Sequence, residues 1–171
     1  MKSEILNLKL SPSVEKEIEE IVARYPDRRS AILPLLHVVQ RENGYVTEAG
    51  MRVVASTLGL SPAQVFDATT FYTMFYTQPV GKNVIQVCKT LSCALLGADS
   101  LILYLERTLG IRVGETTPDG LFTLTAVECL ASCGTAPMMQ INDDYYEGLT
   151  KEKVDRILKE LGFKAEGAAP R

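Results

Sequence analysis

The hydrophobic pattern of this 171-residue chain changes period once, close to residue 80, so the fold must join a helical part to a mixed one. Before that point, helix signals follow one another. Ser11-Pro12 puts a cap residue ahead of a proline suited to the first helical position, and Val14, Ile18, Ile21 and Val22 trace a helical stripe up to Tyr25-Pro26. A second helix is expected from near Arg28 through AILPLLHVVQRE to Asn43-Gly44, with Pro34 either tolerated early or kinking it. Thr47 caps a third, which Gly59 closes, and Ser61-Pro62-Ala63-Gln64 opens a fourth with capping-box spacing.

FYTMFYTQPVGKN, with Pro79, Gly81 and Asn83, reads as a boundary. Beyond it, NVIQVC is a short buried strand, ALLGADSLILYLERTLG a helix closed by Gly110, and GLFTLTAVEC a strand after the turn Thr117-Pro118-Asp119-Gly120. Strand, helix and strand in succession imply a parallel βαβ unit with a right-handed crossover. PMMQIN and DYYEGL form a hairpin turning at Asn142-Asp143, and Thr150 caps a last helix, KEKVDRILKELG. The expected class is α+β or α/β. Residues 1–80 make a helical domain, 81–163 a mixed domain, and 164–171, with nothing to bury, a loose tail.

A chain this long, 46% hydrophobic and 23% charged, buries a core without disulfide staples. Its net charge of -3, spread evenly along the sequence, gives no basic footprint for nucleic acid or an anionic membrane. The N-terminal MKSEILNLKLSPSVEKE lacks the pattern of a secretory signal, and no run approaches the roughly 18 apolar residues of a spanning helix. The expected location is therefore the cytoplasm, where thiols bind metal or do redox work more often than they form structural disulfides.

The four cysteines form two pairs, Cys88 with Cys93 and Cys129 with Cys133, each just past the C-terminal end of an expected strand. Neighbouring parallel strands bring both pairs to one edge, where open α/β sheets place their ligands. Cys93 is expected in the first turn of a helix with Ser92 as its cap, a position that favours a thiolate. Zinc knuckles usually have two residues between ligands, whereas four and three intervene here. A dithiol redox site would use one tight pair and leave the other unexplained. An iron-sulfur cluster takes four thiolates and accepts varied spacing. Spacing favours the cluster and leaves zinc and buried or redox cysteines open.

CKTLSCALLGA and ECLASCGTAPMMQINDDYYEGLT, with their C-x4-C, 35-residue and C-x3-C spacing, resemble the thioredoxin-like 2Fe-2S subunit of bacterial NADH:quinone oxidoreductase, respiratory complex I. The resemblance extends through RYPDRRSAILPLLHVVQRENGYVTEAGM and FYTMF. It implies a helical bundle followed by a thioredoxin-like ferredoxin domain, and one 2Fe-2S cluster held by Cys88, Cys93, Cys129 and Cys133. It also implies a flavoprotein partner carrying NADH, FMN and a 4Fe-4S cluster, further peripheral-arm subunits, and a place at the inner face of the membrane without insertion into it. Such a chain has no independent catalytic activity and carries electrons within an oxidoreductase. The same subunit type occurs in NAD-linked or electron-bifurcating hydrogenases and in formate dehydrogenases. Outside that class, a zinc-stabilised adaptor and a free-standing thioredoxin-like reductase are the remaining readings.

Reduction adds an electron to an anionic cluster, so hydrogen bonds to sulfur and nearby charge govern the potential. The amides around Lys89, Thr90, Ala131 and Gly134, the hydroxyls of Ser92, Ser132 and Thr135, and the Lys89 cation are the expected contributors. Thioredoxin-like folds often keep a cis proline beside this edge, which points to Ala136-Pro137. His37 reads as a core or interface residue, and Phe71 and Phe75 as inter-domain core at helical spacing. Met138 and Met139 read as strand residues on opposite faces, Asp143 and Asp144 as turn residues, and Glu15, Glu17, Glu19 and Glu20 as a solvated helix face.

Overall fold

The computed structural model describes residues 11–164, which leaves the expected tail after Lys164 and the first ten residues outside the described part. The chain divides into two compact units, Met1–Pro79 and Val80–Arg171.

The first unit holds α1 (Pro12–Ala23), a 3-10 turn (Arg28–Ala31), α2 (Ile32–Asn43), α3 (Glu48–Leu58) and α4 (Pro62–Phe71). Local chemistry sets the ends. The side chains of Ser11, Thr47 and Ser61 accept from backbone N–H groups of the first turn, and Ser61 and Gln64 complete a capping box. Gly44 and Gly59 close α2 and α3 in the left-handed region, at φ 78° and 69°. Pro34 sits in the first turn of α2, where its missing N–H would have no helical partner. Leu35, Leu36, Val39, Val54 and Val65 are fully buried in the core. Arg41 reaches from α2 to Glu17 of α1 with two nitrogens, at 3.0 and 2.6 Å, so Glu17 is a paired member of the otherwise solvated acidic run.

Here two aromatic expectations are corrected. α4 ends at Phe71, so Phe71 and Phe75 do not share a helix face. Phe71 is 77% exposed, whereas Phe75 is buried in the core of this unit and tilts against the His37 ring at 4.9 Å. Gln40 fixes the segment on both sides of Phe75 by donating to the Met74 carbonyl and accepting from the Tyr76 N–H.

The second unit is a four-stranded sheet in the order β2-β1-β3-β4. β1 (Asn83–Cys88) runs parallel to β2 (Phe122–Val127), in register from Asn83 opposite Phe122 to Cys88 opposite Val127. β3 (Met139–Ile141) is antiparallel to β1, and β4 (Asp144–Tyr146) turns back on β3 around Asn142-Asp143. β1 is buried nearly throughout, as expected of a central strand. Gly81 enters it so close to β2 that a Cβ would lie 2.7 Å from the Phe122 carbonyl carbon.

The single helix expected between β1 and β2 is instead two: α5 (Leu91–Leu95) and α6 (Ala98–Leu109). Gly97 separates them at φ 101°, a conformation glycine adopts without steric cost. The Thr117–Gly120 turn closes with an N–H···O bond of 2.8 Å, and Asp119 accepts from both Thr117 and Leu121. α7 (Lys151–Glu160) begins at Thr150, whose hydroxyl accepts from the Lys153 N–H. Ile85, Val87, Leu101, Leu105, Phe122, Leu124, Met139, Val154 and Leu158 make this unit's core. Among the described residues, no helix is long and apolar enough to cross a membrane.

Candidate metal centre

Cys88 closes β1, opposite the last residue of β2, and Cys129 follows β2 by two residues, so the parallel register delivers both cysteine loops to one edge of the sheet. Cys93 lies within α5 and Cys133 begins a short 3-10 turn, Cys133–Thr135. All four thiols are free. Their surroundings differ. Cys88 and Cys93 are only 3% and 2% exposed, packed with Ala98 and Met138, while Cys129 and Cys133 face solvent. Met138 thus lies on the cysteine side, and Met139 in the core of the sheet, as their alternation requires.

The surroundings of each thiol shift its ionisation. Burial disfavours the Cys88 thiolate, yet its pKa is lowered overall by the Thr90 hydroxyl, the backbone N–H groups of Leu130 and Thr90, and the Cys93 thiol. The Thr90 oxygen stands 3.2 Å from the Cys88 sulfur. Burial and the bond to Cys88 raise the Cys93 thiol, against the N–H of Met138, and the charge of Cys133 acts in the same upward direction. The Lys89 N–H, just past Cys88, bonds the carbonyl of Val127 at 3.0 Å and so ties the start of one cysteine loop to the strand end that leads into the other. The Ala131 N–H reaches the Cys129 sulfur at 3.3 Å. Among the described residues, no three His, Cys, Asp or Glu side chains gather as ligands of one metal ion.

Several expected contributors are placed elsewhere. Thr90, not Ser92, occupies the cap of α5, without a side-chain bond, because the helix starts two residues earlier, at Leu91. The Lys89 ammonium, half exposed, pairs with Glu128 at 3.4 Å. The hydroxyls of Ser132 and Thr135 both donate to Glu147 and are taken up by that carboxylate. Sequence reasoning missed the Thr90 hydroxyl, the Leu130 amide and Glu147. The first was within reach, since a threonine two residues after a cysteine can turn its hydroxyl back to the sulfur. The other two depend on tertiary contact. Ala136-Pro137 is cis, as expected at this edge.

Four free thiols at adjacent strand ends, with N–H and O–H donors aimed at sulfur, fit the thiolate set that an iron-sulfur cluster requires. Residues 18–162 match the thioredoxin-like [2Fe-2S] ferredoxin family, and the chain belongs to that family. The 2Fe-2S cluster expected from the cysteines is the cofactor of that family. The chain is 48% identical over 147 residues to the second E subunit of NADH-quinone oxidoreductase from Rhizobium meliloti (strain 1021), covering 86% of this chain and 88% of the relative. It is 43% identical over 164 residues to the E subunit of NADH-quinone oxidoreductase from Rickettsia conorii, covering 94% and 98%. In fold it resembles an NAD+-reducing [NiFe]-hydrogenase in the air-oxidized state, with a TM-score of 0.68 and 18% identity over 82% of this chain and 25% of that one.

Proposed function

We propose that this chain is the 2Fe-2S electron-transfer subunit in the NADH-oxidising module of an NADH:quinone oxidoreductase, with Cys88, Cys93, Cys129 and Cys133 as the four ligands. The observation that carries the assignment is the parallel register of β1 and β2, which sets both cysteine loops at one edge, where the Lys89 N–H bonds the Val127 carbonyl at 3.0 Å. Extensive identity to the two NADH-quinone oxidoreductase relatives supports the complex.

When bound, the cluster supplies a site that accepts and returns one electron at a time. The chain's own part is electrostatic. Backbone N–H groups of Thr90, Leu130 and Ala131 and the Thr90 hydroxyl stabilise negative charge on sulfur, which favours the reduced form. Burial of Cys88 and Cys93 keeps water from one side of the ligand set. No substrate pocket is needed, because NADH and FMN belong to the flavoprotein partner, on which this protein docks at the cytoplasmic face of the membrane. Leu91, Leu95 and Leu96, exposed on and beside α5, offer apolar contact near Cys93 for such a partner. Partner binding is further assigned to residues 1–80 and cofactor binding to 81–163.

Purified protein should be red-brown, bleach with dithionite, and contain two irons and two sulfides per chain. Zinc, or four sulfides per chain, would overturn the cofactor assignment. Co-purification with an NADH-binding flavoprotein and proton-pumping membrane subunits should identify the assembly, and a hydrogenase large subunit in their place would overturn it.

A further inference from the structure

Cys129 and Cys133 are exposed, so no core packing fixes where their sulfurs stand. Something else must hold them. Residues on both sides of Cys133 bond to one carboxylate: Glu147 Oε1 accepts from Ser132 Oγ, and from Thr135 Oγ1 at 2.7 Å. The two hydroxyls are themselves 2.8 Å apart. Backbone bonds continue the seam past the cysteine, from Gly148 N–H to the Thr135 carbonyl at 2.6 Å and from Leu149 N–H to the Pro137 carbonyl at 3.0 Å. These lie on the C-terminal side of Cys133. The Ser132–Glu147 bond ties down the N-terminal side, next to Ala131, which holds a left-handed φ of 62°. Lys153, from the first turn of α7, donates its ammonium to the Glu147 carbonyl, and its charge also favours the ionised Glu147 side chain, whose pKa is lowered chiefly by the two hydroxyls. The clamp therefore runs from the cysteine loop through Glu147 to a helix anchored in the core by Val154 and Leu158.

We propose that Glu147 is a positioning residue for the cluster: by gripping Ser132 and Thr135 on either side of Cys133, it presents the Cys129–Cys133 loop in ligating form. The inference rests on the proposed ligand set. A surface carboxylate that merely satisfied two hydroxyls would matter little to ligation. Here the gripped residues straddle a ligand that is exposed to solvent, and loss of outer-shell partners at metal sites typically costs about 10–100-fold in affinity.

The test uses the full-length chain, following cluster loss to an iron chelator by visible absorbance and amide hydrogen exchange across residues 130–135 in the cluster-free form. Glu147→Ala should release the cluster at least about tenfold faster and speed exchange in that loop. Glu147→Gln, which keeps an acceptor oxygen, should lie closer to the unsubstituted protein than to Glu147→Ala. The double variant Ser132→Ala/Thr135→Ala should match Glu147→Ala, and the triple variant should be no worse, since all remove one interaction. Release from Glu147→Ala within about twofold of the unsubstituted protein, unchanged loop exchange, or additive effects of the two sets would overturn the proposal. An unsubstituted protein that never shows a bleachable chromophore would instead overturn the ligand assignment, which separates the two failures.

Discussion

Ala131 turns its backbone N–H onto the sulfur of Cys129 at 3.3 Å, and it does so from a φ of 62° that an alanine seldom adopts. A left-handed conformation costs a residue with a Cβ about 1–2 kcal/mol, and glycine escapes that cost while gaining freedom in the unfolded chain. Ala131→Gly should therefore leave stability unchanged or raise it by about 0.5 kcal/mol, whereas branched Ala131→Val should lower it by about 1–2 kcal/mol. Urea unfolding of the cluster-free chain reads both, and a glycine variant that is clearly less stable would show that the strain lies elsewhere.

Gly81 makes a contact of another kind. Its Cβ, if present, would meet the Phe122 carbonyl carbon at 2.7 Å and the Thr123 nitrogen at 3.0 Å, both backbone atoms that cannot swing aside. Its own N–H donates to the Thr123 hydroxyl at 2.6 Å. Gly81→Ala should cost about 1–3 kcal/mol by prising β1 from β2. The same change at Gly134, where a Cβ meets nothing within 4 Å, is the comparison, and an equal loss at both sites would remove the packing explanation.

The features legible in the sequence were those whose partners lie within a few residues. Ser61 and Gln64 announce their capping box because both halves of it sit in one turn, and Asn142-Asp143 announces a turn because Asn tolerates the φ of 53° found there. The two cysteine pairs were legible for a related reason: each follows a strand, and parallel strands share an end. What stayed hidden was set at a distance. Glu147 follows Ser132 by fifteen residues and meets it only because β3 and β4 fold back, and the Leu130 backbone acts on the ionisation of Cys88 only through the β1–β2 register. Gly97 hid for the opposite reason, since apolar residues on both sides continue a helical pattern through it.

Each Cys→Ser replacement at positions 88, 93, 129 and 133 should lose or destabilise the cluster, because a serine oxygen is a harder, less suitable ligand for iron in this setting. Iron content and the visible spectrum measure it. A variant that retains a normal spectrum would remove that cysteine from the ligand set.

A chain beginning at Val80, the start of the second unit, should still assemble its cluster, since all four cysteines and the strands that place them lie beyond that point. It should bind the flavoprotein partner less well than the full chain. Equal binding, or failure to hold iron, would reverse the assignment of roles to the two parts.

Acid should selectively weaken the link between α1 and α2. The side-chain hydrogen bonds from Arg41 hold the Glu17 carboxyl below its ordinary value of 4.5. A depressed carboxylate contributes stability that is present above that ordinary value and is lost as pH falls through the lower, folded one. Glu17→Gln should accordingly be slightly less stable than the unsubstituted chain at neutral pH, with the gap closing below pH 4.5 and shrinking in high salt. Thermal midpoints across that range measure it, and a gap that persists in acid would count against the pair.

The unequal burial of the two cysteine pairs makes them unequal in their reach from solvent. Anything arriving from solvent, whether a thiol reagent or a protein delivering iron and sulfide, meets Cys129 and Cys133 first, while Cys88 and Cys93 stay covered by Ala98 and Met138. A thiol-specific reagent should therefore modify Cys129 and Cys133 in the cluster-free chain well before Cys88 and Cys93.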